Sequence, residues 1–371
     1  MGKEYDFFKD KGLHNESIDL GFNHKSGLFV NGGYTRNNHG GWQGDLTGRE
    51  KRWHPKDQAL MNGMFGFQNR NMNVWYRLDF LDEKIFGPNN GSELQPEKVS
   101  DKDFLTKRYT HQLQSDWKLD NRLDVHAALS YQDYKRTRTT ESDLSTGEKW
   151  LSSAEASQDI TQYKAWIARA TVAWNIAPEF SVQPGVEYQW TQGEGGRIDG
   201  TPKVSDLAFF LSAEYKPWEW LSLRPGVRTF IVADYDAPIA IPSVLTKFKL
   251  TKHMDLRLSY AYGFRSPTLQ ELYFSFHNDN HDIDGNPDLK AEYSHNITGS
   301  VAYRVLHSEK IHLTTTLSGF YNDFRDKISL AQNVDIPNYN TYYNIDRYKT
   351  VGGSLENSLS WGGLRANLNV S

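Results

Sequence analysis

The stretch Tyr260-Ala-Tyr-Gly-Phe-Arg-Ser-Pro-Thr-Leu-Gln-Glu-Leu-Tyr273 runs on through Phe-Ser-Phe-His277-Asn-Asp-Asn-His281 to Gly285-Asn-Pro-Asp-Leu-Lys-Ala-Glu292. It enters as a strand with one apolar and one polar face. Leu256, Leu258, Tyr260 and Tyr262 lie on one side, and Asp255, Arg257, Ser259 and Ala261 on the other. After Pro267 the alternation stops, a long polar segment with two histidines follows, and a strand resumes at about Tyr293. A strand that ends in aromatics and opens into a long loop is the layout of a transmembrane β-barrel.

The same period of two recurs along the chain. Val74, Tyr76, Leu78 and Phe80 alternate with Trp75, Arg77 and Asp79. Leu123, Val125, Ala127, Leu129 and Tyr131 alternate with Asp124, His126, Ala128, Ser130 and Gln132. Trp166, Ala168, Ala170, Val172 and Trp174 oppose Ile167, Arg169, Thr171 and Ala173, and Ile311, Leu313, Thr315, Leu317 and Tyr321 oppose His312, Thr314, Thr316 and Ser318. No helical stripe of comparable length competes, so the fold class is all-β.

Connections alternate short and long. Short links fall near Asn23–Ser26, Gln68–Asn71, Leu119–Asn121, Ile176–Pro178, Pro217–Glu219, Leu250–His253, His307–Glu309 and Trp361–Gly363. Longer polar stretches lie between them at Asn37–Gln58, Asp82–Thr106, Arg136–Asp159, Thr191–Lys203 and Phe264–Ala291. Turns on one rim and loops on the other fit an antiparallel up-and-down barrel, with roughly sixteen strands from about Leu13 onward. An internal echo, Phe180-Ser-Val-Gln-Pro-Gly-Val186 against Leu221-Ser-Leu-Arg-Pro-Gly-Val227, reads as two successive hairpins. Trp174, Tyr188, Trp190, Tyr215, Trp218, Trp220, Tyr260, Tyr262 and Trp361 gather near strand ends, as an aromatic girdle does.

Composition sets bounds. The formal net charge of -4 offers no basic face for nucleic acid, and the absence of cysteine excludes a disulfide scaffold and thiolate zinc sites. Aromatics make up 13% of the residues. The mean hydropathy of -0.69 and the lack of a long apolar run exclude a membrane-spanning helix, but not strands that alternate. Met1–Phe8 holds no apolar signal core.

At Phe264-Arg265-Ser266-Pro267 and Asn286-Pro287-Asp288-Leu289 the sequence resembles the TonB-dependent outer-membrane receptors. The two boxes are similar to the FRAP and NPNL boxes of the haem and haemoglobin receptor branch, with Ser266 and Asp288 departing from that pattern. Related boxes occur in siderophore receptors. The resemblance implies a bacterial outer-membrane location and a barrel of about 22 strands closed by a plug. Residues 1–371 then form a single partial barrel domain of about 16 strands, with the plug and C-terminal strands outside it. It also implies import driven by the TonB energy-coupling complex. Its partners would be haem or a haemoprotein, a surface haem-binding lipoprotein, and outer-membrane lipid.

In that setting His277 and His281, four residues apart between the boxes, are candidate axial ligands of haem iron. Tyr273, Phe274 and Phe276 are candidate stacking partners for the porphyrin. Without the resemblance the two histidines read as solvated loop residues. Arg265 and Pro267 are expected to anchor the loop base, and Asn286-Pro287 to form a turn. Asp279, Asp282 and Asp284 only partly match a calcium loop, because the terminal glutamate is missing. His111, His126, His253, His295 and His312 fall in strands or turns. No nucleophile–base arrangement, phosphate loop or zinc motif is present, which argues against an enzyme. Haem is expected as transported ligand rather than permanent cofactor. The rival readings are a ferric-siderophore receptor of the same family and a passive 16-stranded porin.

Overall fold

The computed structural model describes residues 12–91, 98–143, 147–153, 158–233, 237–278, 281–308, 310–336 and 338–371. Of Glu141, Asp143, Val232, Ala233, Asn278, His281 and Asp346 it describes the backbone only. In chain order the first strands are β1 (Leu13–Asn23), β2 (Leu28–His39), β3 (Lys56–Gln68), β4 (Met72–Gly87), β5 (Lys98–Val99), β6 (Lys102–Lys118) and β7 (Leu123–Arg138). There follow β8 (Glu141–Asp143), β9 (Lys149–Trp150), β10 (Asp159–Ala177), β11 (Phe180–Glu194), β12 (Lys203–Trp218), β13 (Leu221–Ala233), β14 (Ile241–Lys249) and β15 (Met254–Arg265). The rest are α1 (Leu269–Tyr273), β16 (Ser275–Asn278), β17 (His281–Asp284), β18 (Glu292–His307), β19 (Ile311–Gln332), β20 (Tyr339–Trp361) and β21 (Leu364–Val370).

The long strands form one antiparallel meander, each paired with the long strand before and after it. All eight expected short links fall between paired long strands at one rim. The five expected long stretches fall at the other rim, although the strands run further into them than the alternation suggests. Residues 237–240 and 333–336, not among the connections expected from the sequence, also lie between strands at that rim. The two echo segments open β11 and β13 after tight turns. Within β11, a Cβ on Gly185 would sit 2.2 Å from the Phe210 ring, so only glycine lets the neighbouring strand's aromatic lie flat there.

Cross-strand register separates the faces. Tyr76, Leu113, Leu129, Ala168, Tyr188 and Leu207 are successive partners in one row on the outside. The adjacent row on the other face runs Arg77, Gln112, Ser130, Ile167, Gln189 and Asp206, polar but for Ile167. Inside, the nearly buried Glu187 carboxylate is held by Arg169 at 2.5 Å and Arg228 at 2.8 Å. Outside, Ile18, Leu20, Phe65, Leu211, Leu317 and Leu368 are largely exposed. A soluble sheet would cover that apolar surface with a second layer. A strand wall that crosses a membrane leaves such a face bare, because its ladders satisfy the backbone polar groups that lipid cannot.

Tight packing is concentrated elsewhere. Of the nine buried hydrophobic residues among those described, Ile198, Leu269, Leu272, Leu289, Ala291 and Ile328 surround the 266–291 loop. The loops after β2, β4 and β7 are knotted at the fully buried Asp101. Its carboxylate accepts from both terminal Arg49 nitrogens at 2.8 and 2.7 Å and from the Asn89 amide at 3.0 Å.

Candidate ligand-binding loop

The 266–291 segment is not one polar loop. It holds a helical turn, α1, and the hairpin β16–β17. Thr268 caps α1 and forms a capping box with Glu271, so each satisfies an amide of the other. The T-x-x-E spacing is present in the sequence and marks the one helix among the described residues.

Arg265, at the end of β15, lies between two carboxylates. It donates to Glu292 through Nε and Nη2, both at 2.8 Å, and to Glu271 through Nη1 at 2.9 Å and Nη2 at 3.1 Å. Glu292 also accepts the Ile328 amide at 2.6 Å. Burial pushes the Glu271 carboxyl up, and Arg265 with the Thr268 donors more than reverses this, leaving it below its ordinary value. Phe264 places its ring 5.0 Å from that of Phe230, and Pro267 is fully buried. Ser266 offers its carbonyl to Arg265 at 3.4 Å.

The second box closes the base. Asn286 receives the Asp288 amide on its own side-chain oxygen at 2.9 Å, a local turn in which Pro287 is the intervening residue, and donates to the Tyr342 carbonyl at 2.9 Å. Leu289 packs with Leu272 and Ile328 in one buried cluster, with Tyr273 and Tyr342 against it. At Gly285 an added Cβ would meet the Leu272 carbonyl carbon at 2.6 Å, so the chain passes too close for a side chain.

Above this base the hairpin projects. His277 is about half exposed. Its Nδ1 lies 2.6 Å from Asp282, and its Nε2 lies 3.0 Å from Asp284 and 3.1 Å from the Ser275 hydroxyl. The Asp282 hydrogen bond raises its pKa, against slight desolvation, with Asp284 adding to the rise. Ser275, His277, Asp282 and Asp284 therefore share one face. Phe276 is on the other, under the Arg197 guanidinium at 3.9 Å, with the Phe274 ring 6.4 Å from it. So the structure does not bring His277 and the two phenylalanines together around one ligand plane, and Tyr273 belongs to the packed base. His281 pairs with Asn278 through the backbone, its side chain lies outside the described residues, and so does Asp279. Asp282 and Asp284 face the imidazole rather than a calcium-loop arrangement; together with His277 they form the one group of three potential metal-ligating side chains among the described residues.

Sequence reasoning missed Glu271, Glu292, Asp282 and Asp284 as partners, and missed Arg197 altogether. The other histidines lie away from this loop: His111 and His295 each meet a tyrosine hydroxyl, of Tyr76 at 2.6 Å and Tyr260 at 3.0 Å. A cavity of about 1750 Å³ opens at the short-turn rim among Glu214, Lys216, Arg224, Lys247 and Arg257, at the opposite end of the wall.

An antiparallel wall, apolar outside and polar inside, with tight turns on one rim and an anchored, projecting loop on the other, defines a β-barrel of the bacterial outer membrane. Residues 174–371 match the family model described as TonB dependent receptor-like, beta-barrel, and the chain belongs to the TonB-dependent receptor family. Over 82 residues it is 38% identical to hemoglobin and hemoglobin-haptoglobin-binding protein C of Haemophilus influenzae, a match covering 22% of this chain and 7% of that protein. Among solved structures it is similar to the siderophore receptor PirA of Pseudomonas aeruginosa, with a TM-score of 0.70 at 13% identity over 96% of this chain and 67% of that one. It is also similar to the Serratia marcescens hemophore receptor HasR, solved as a double mutant with its hemophore HasA and heme, with a TM-score of 0.69 at 14% identity over 97% and 63%. At these identities the likeness is one of fold.

Proposed function

We propose that this chain is the barrel portion of a receptor that captures an iron-bearing ligand, haem, at its loop rim and passes it inward with energy supplied through TonB. Haem arrives free or from a haemoprotein, with a surface lipoprotein as the delivering partner. The work is selective binding and passage, without bond-making chemistry. Haem is the cargo and not a resident cofactor.

The observation that carries this reading is the His277 imidazole, held out from a rigid base on a short hairpin with Asp282 at its Nδ1. A carboxylate at one ring nitrogen is the partner that orients a metal-ligating histidine and raises its basicity. Nε2 faces Asp284 and Ser275, contacts made at the exposed surface, and iron ligation exchanges them for the metal. The partial identity to a haemoglobin-binding protein supports the same ligand.

A Soret-band titration tests it, comparing the receptor with its His277→Ala, His281→Ala double variant. Loss of the six-coordinate haem spectrum and of affinity in the variant is the expected result. Equal affinity and an identical spectrum would remove both histidines from the ligand set. A second reading, a ferric siderophore, is favoured by the occupation of both His277 nitrogens and predicts that the double variant binds its ligand normally.

A further inference from the structure

At the short-turn rim the link between β18 and β19 is flanked by two histidines, in the run His307-Ser-Glu-Lys-Ile-His312. They stand opposite each other because β18 carries one extra residue. Arg304 pairs with Thr314, but Leu306 pairs with Leu313, so Val305 bulges out and His307 meets His312. Without that extra residue His312 would face Leu306. A β-bulge re-aims the side chains beyond it in this way. The Ser308 amide then donates to the Ile311 carbonyl at 2.9 Å and closes the hairpin. The next pair back, His307 with His312, falls in the non-hydrogen-bonded position, where side chains approach most closely.

The two Nδ1 atoms lie 3.0 Å apart, with ring centres 4.9 Å apart and ring planes at 53°. Both residues are exposed, on the face opposite that of Leu313 and Leu317. Among the described residues no carboxylate pairs with either ring, whereas His126 has Asp116 and His277 has Asp282. No such carboxylate holds either imidazole as a cation, and the neutral ring is the form that ligates a metal. As the pair stands, one ring donates its Nδ1 proton to the other. Moving that proton to the donor's own Nε2 leaves two lone pairs aimed into one gap, with no change of charge.

The width of the gap selects the ion. Metal–nitrogen bonds of about 2.0–2.1 Å put two nitrogens roughly 2.9 Å apart at a right angle and roughly 3.3 Å apart at a tetrahedral one. The observed 3.0 Å matches two adjacent corners of a tetragonal site, the geometry of Cu²⁺ and Ni²⁺ rather than of Zn²⁺. Of the divalent first-row ions, Cu²⁺ binds nitrogen ligands most tightly.

We infer that His307 and His312 form a two-nitrogen chelate for a divalent copper ion at the inner rim of the barrel, with water at its other positions. The site lies at the end of the wall away from the 266–291 loop, and it stands whether or not haem is the cargo.

The test uses the full-length receptor in detergent micelles, with Cu²⁺ as the probe and electron paramagnetic resonance as the readout. The wild type should give a tetragonal spectrum with a pair of equatorial nitrogens. His307→Gln and His312→Gln should each lose one of these nitrogens and about 100-fold in Cu²⁺ affinity, the advantage that a linked second ligand supplies. His24→Gln, at another short link where Nδ1 meets the Ser26 hydroxyl at 2.8 Å, should match the wild type. Unchanged spectra and affinity in both pair variants overturn the inference. So does a wild-type spectrum without the second nitrogen, or an equal loss in His24→Gln. Heat-modifiable gel mobility establishes that each variant has folded.

Discussion

Two parts of one loop obey different physics. The base, made by the two boxes, is buried: Arg265 bridges Glu271 and Glu292, and Leu289 closes a cluster with Leu272 and Ile328. The hairpin above it is exposed, and its contacts are ion pairs in water that are worth little to stability. The boxes that make the family recognisable therefore build the platform. The His277 face of the hairpin is instead exposed, so a substitution there disturbs no packed cluster.

The sharpest way to break the contrast is at the platform. Leu289→Ala should cost about 3 kcal/mol of local stability through the cavity it leaves, read as a rise in proteolytic cleavage of the loop on intact cells. Arg265→Ala should follow at about 2 kcal/mol, because two mostly buried carboxylates lose their common partner. Cleavage or amide exchange within 266–291 should then rise about 30-fold. His277→Ala should leave both readouts unchanged while lowering haem affinity about tenfold, checked by the Soret titration. A destabilised base in that variant would erase the distinction drawn here.

The smallest effect is a pH difference between the two parts. The Glu271 carboxyl is lowered in the fold, so its contribution is present above its unfolded value and is lost only as pH falls through the lowered folded one. The His277 pKa is raised, so its contribution is fully present below its unfolded value, about 6.5, and is lost as pH rises through the folded one. After correction for intrinsic exchange, amides of 275–278 and 281–284 should lose protection as pH rises past neutrality, while those of 269–273 stay constant. Equal responses in both segments would show that the hairpin and base move as one unit.

Much of the wall was legible in the sequence because a barrel strand is a local pattern. Tyr76, Leu78 and Leu129 declare their face by alternation alone, and the eight short links fall where it is interrupted. The connections at 237–240 and 333–336 escaped because each interrupts the alternation only briefly. The hairpin escaped for a different reason: four-residue strands such as Ser275–Asn278 are too short to show a period. Arg197 and Phe276 are far apart in sequence and meet only because the fold brings the loop after β11 beside the hairpin. Glu271 was within reach through its capping box, but its second role against Arg265 depends on the fold.

The hairpin makes the one parallel pairing in the described sheet. Asp282, Ile283 and Asp284 run alongside Tyr339, Asn340 and Thr341 at the head of β20. From there β20 continues for 23 residues to Trp361 at the opposite rim, about 75 Å of contour. The hairpin is thus clamped to the outer end of a strut that crosses the whole membrane. Its other end stands in the turn beside Gly362, so a tug on the hairpin is borne along one uninterrupted backbone to the inner side of the membrane.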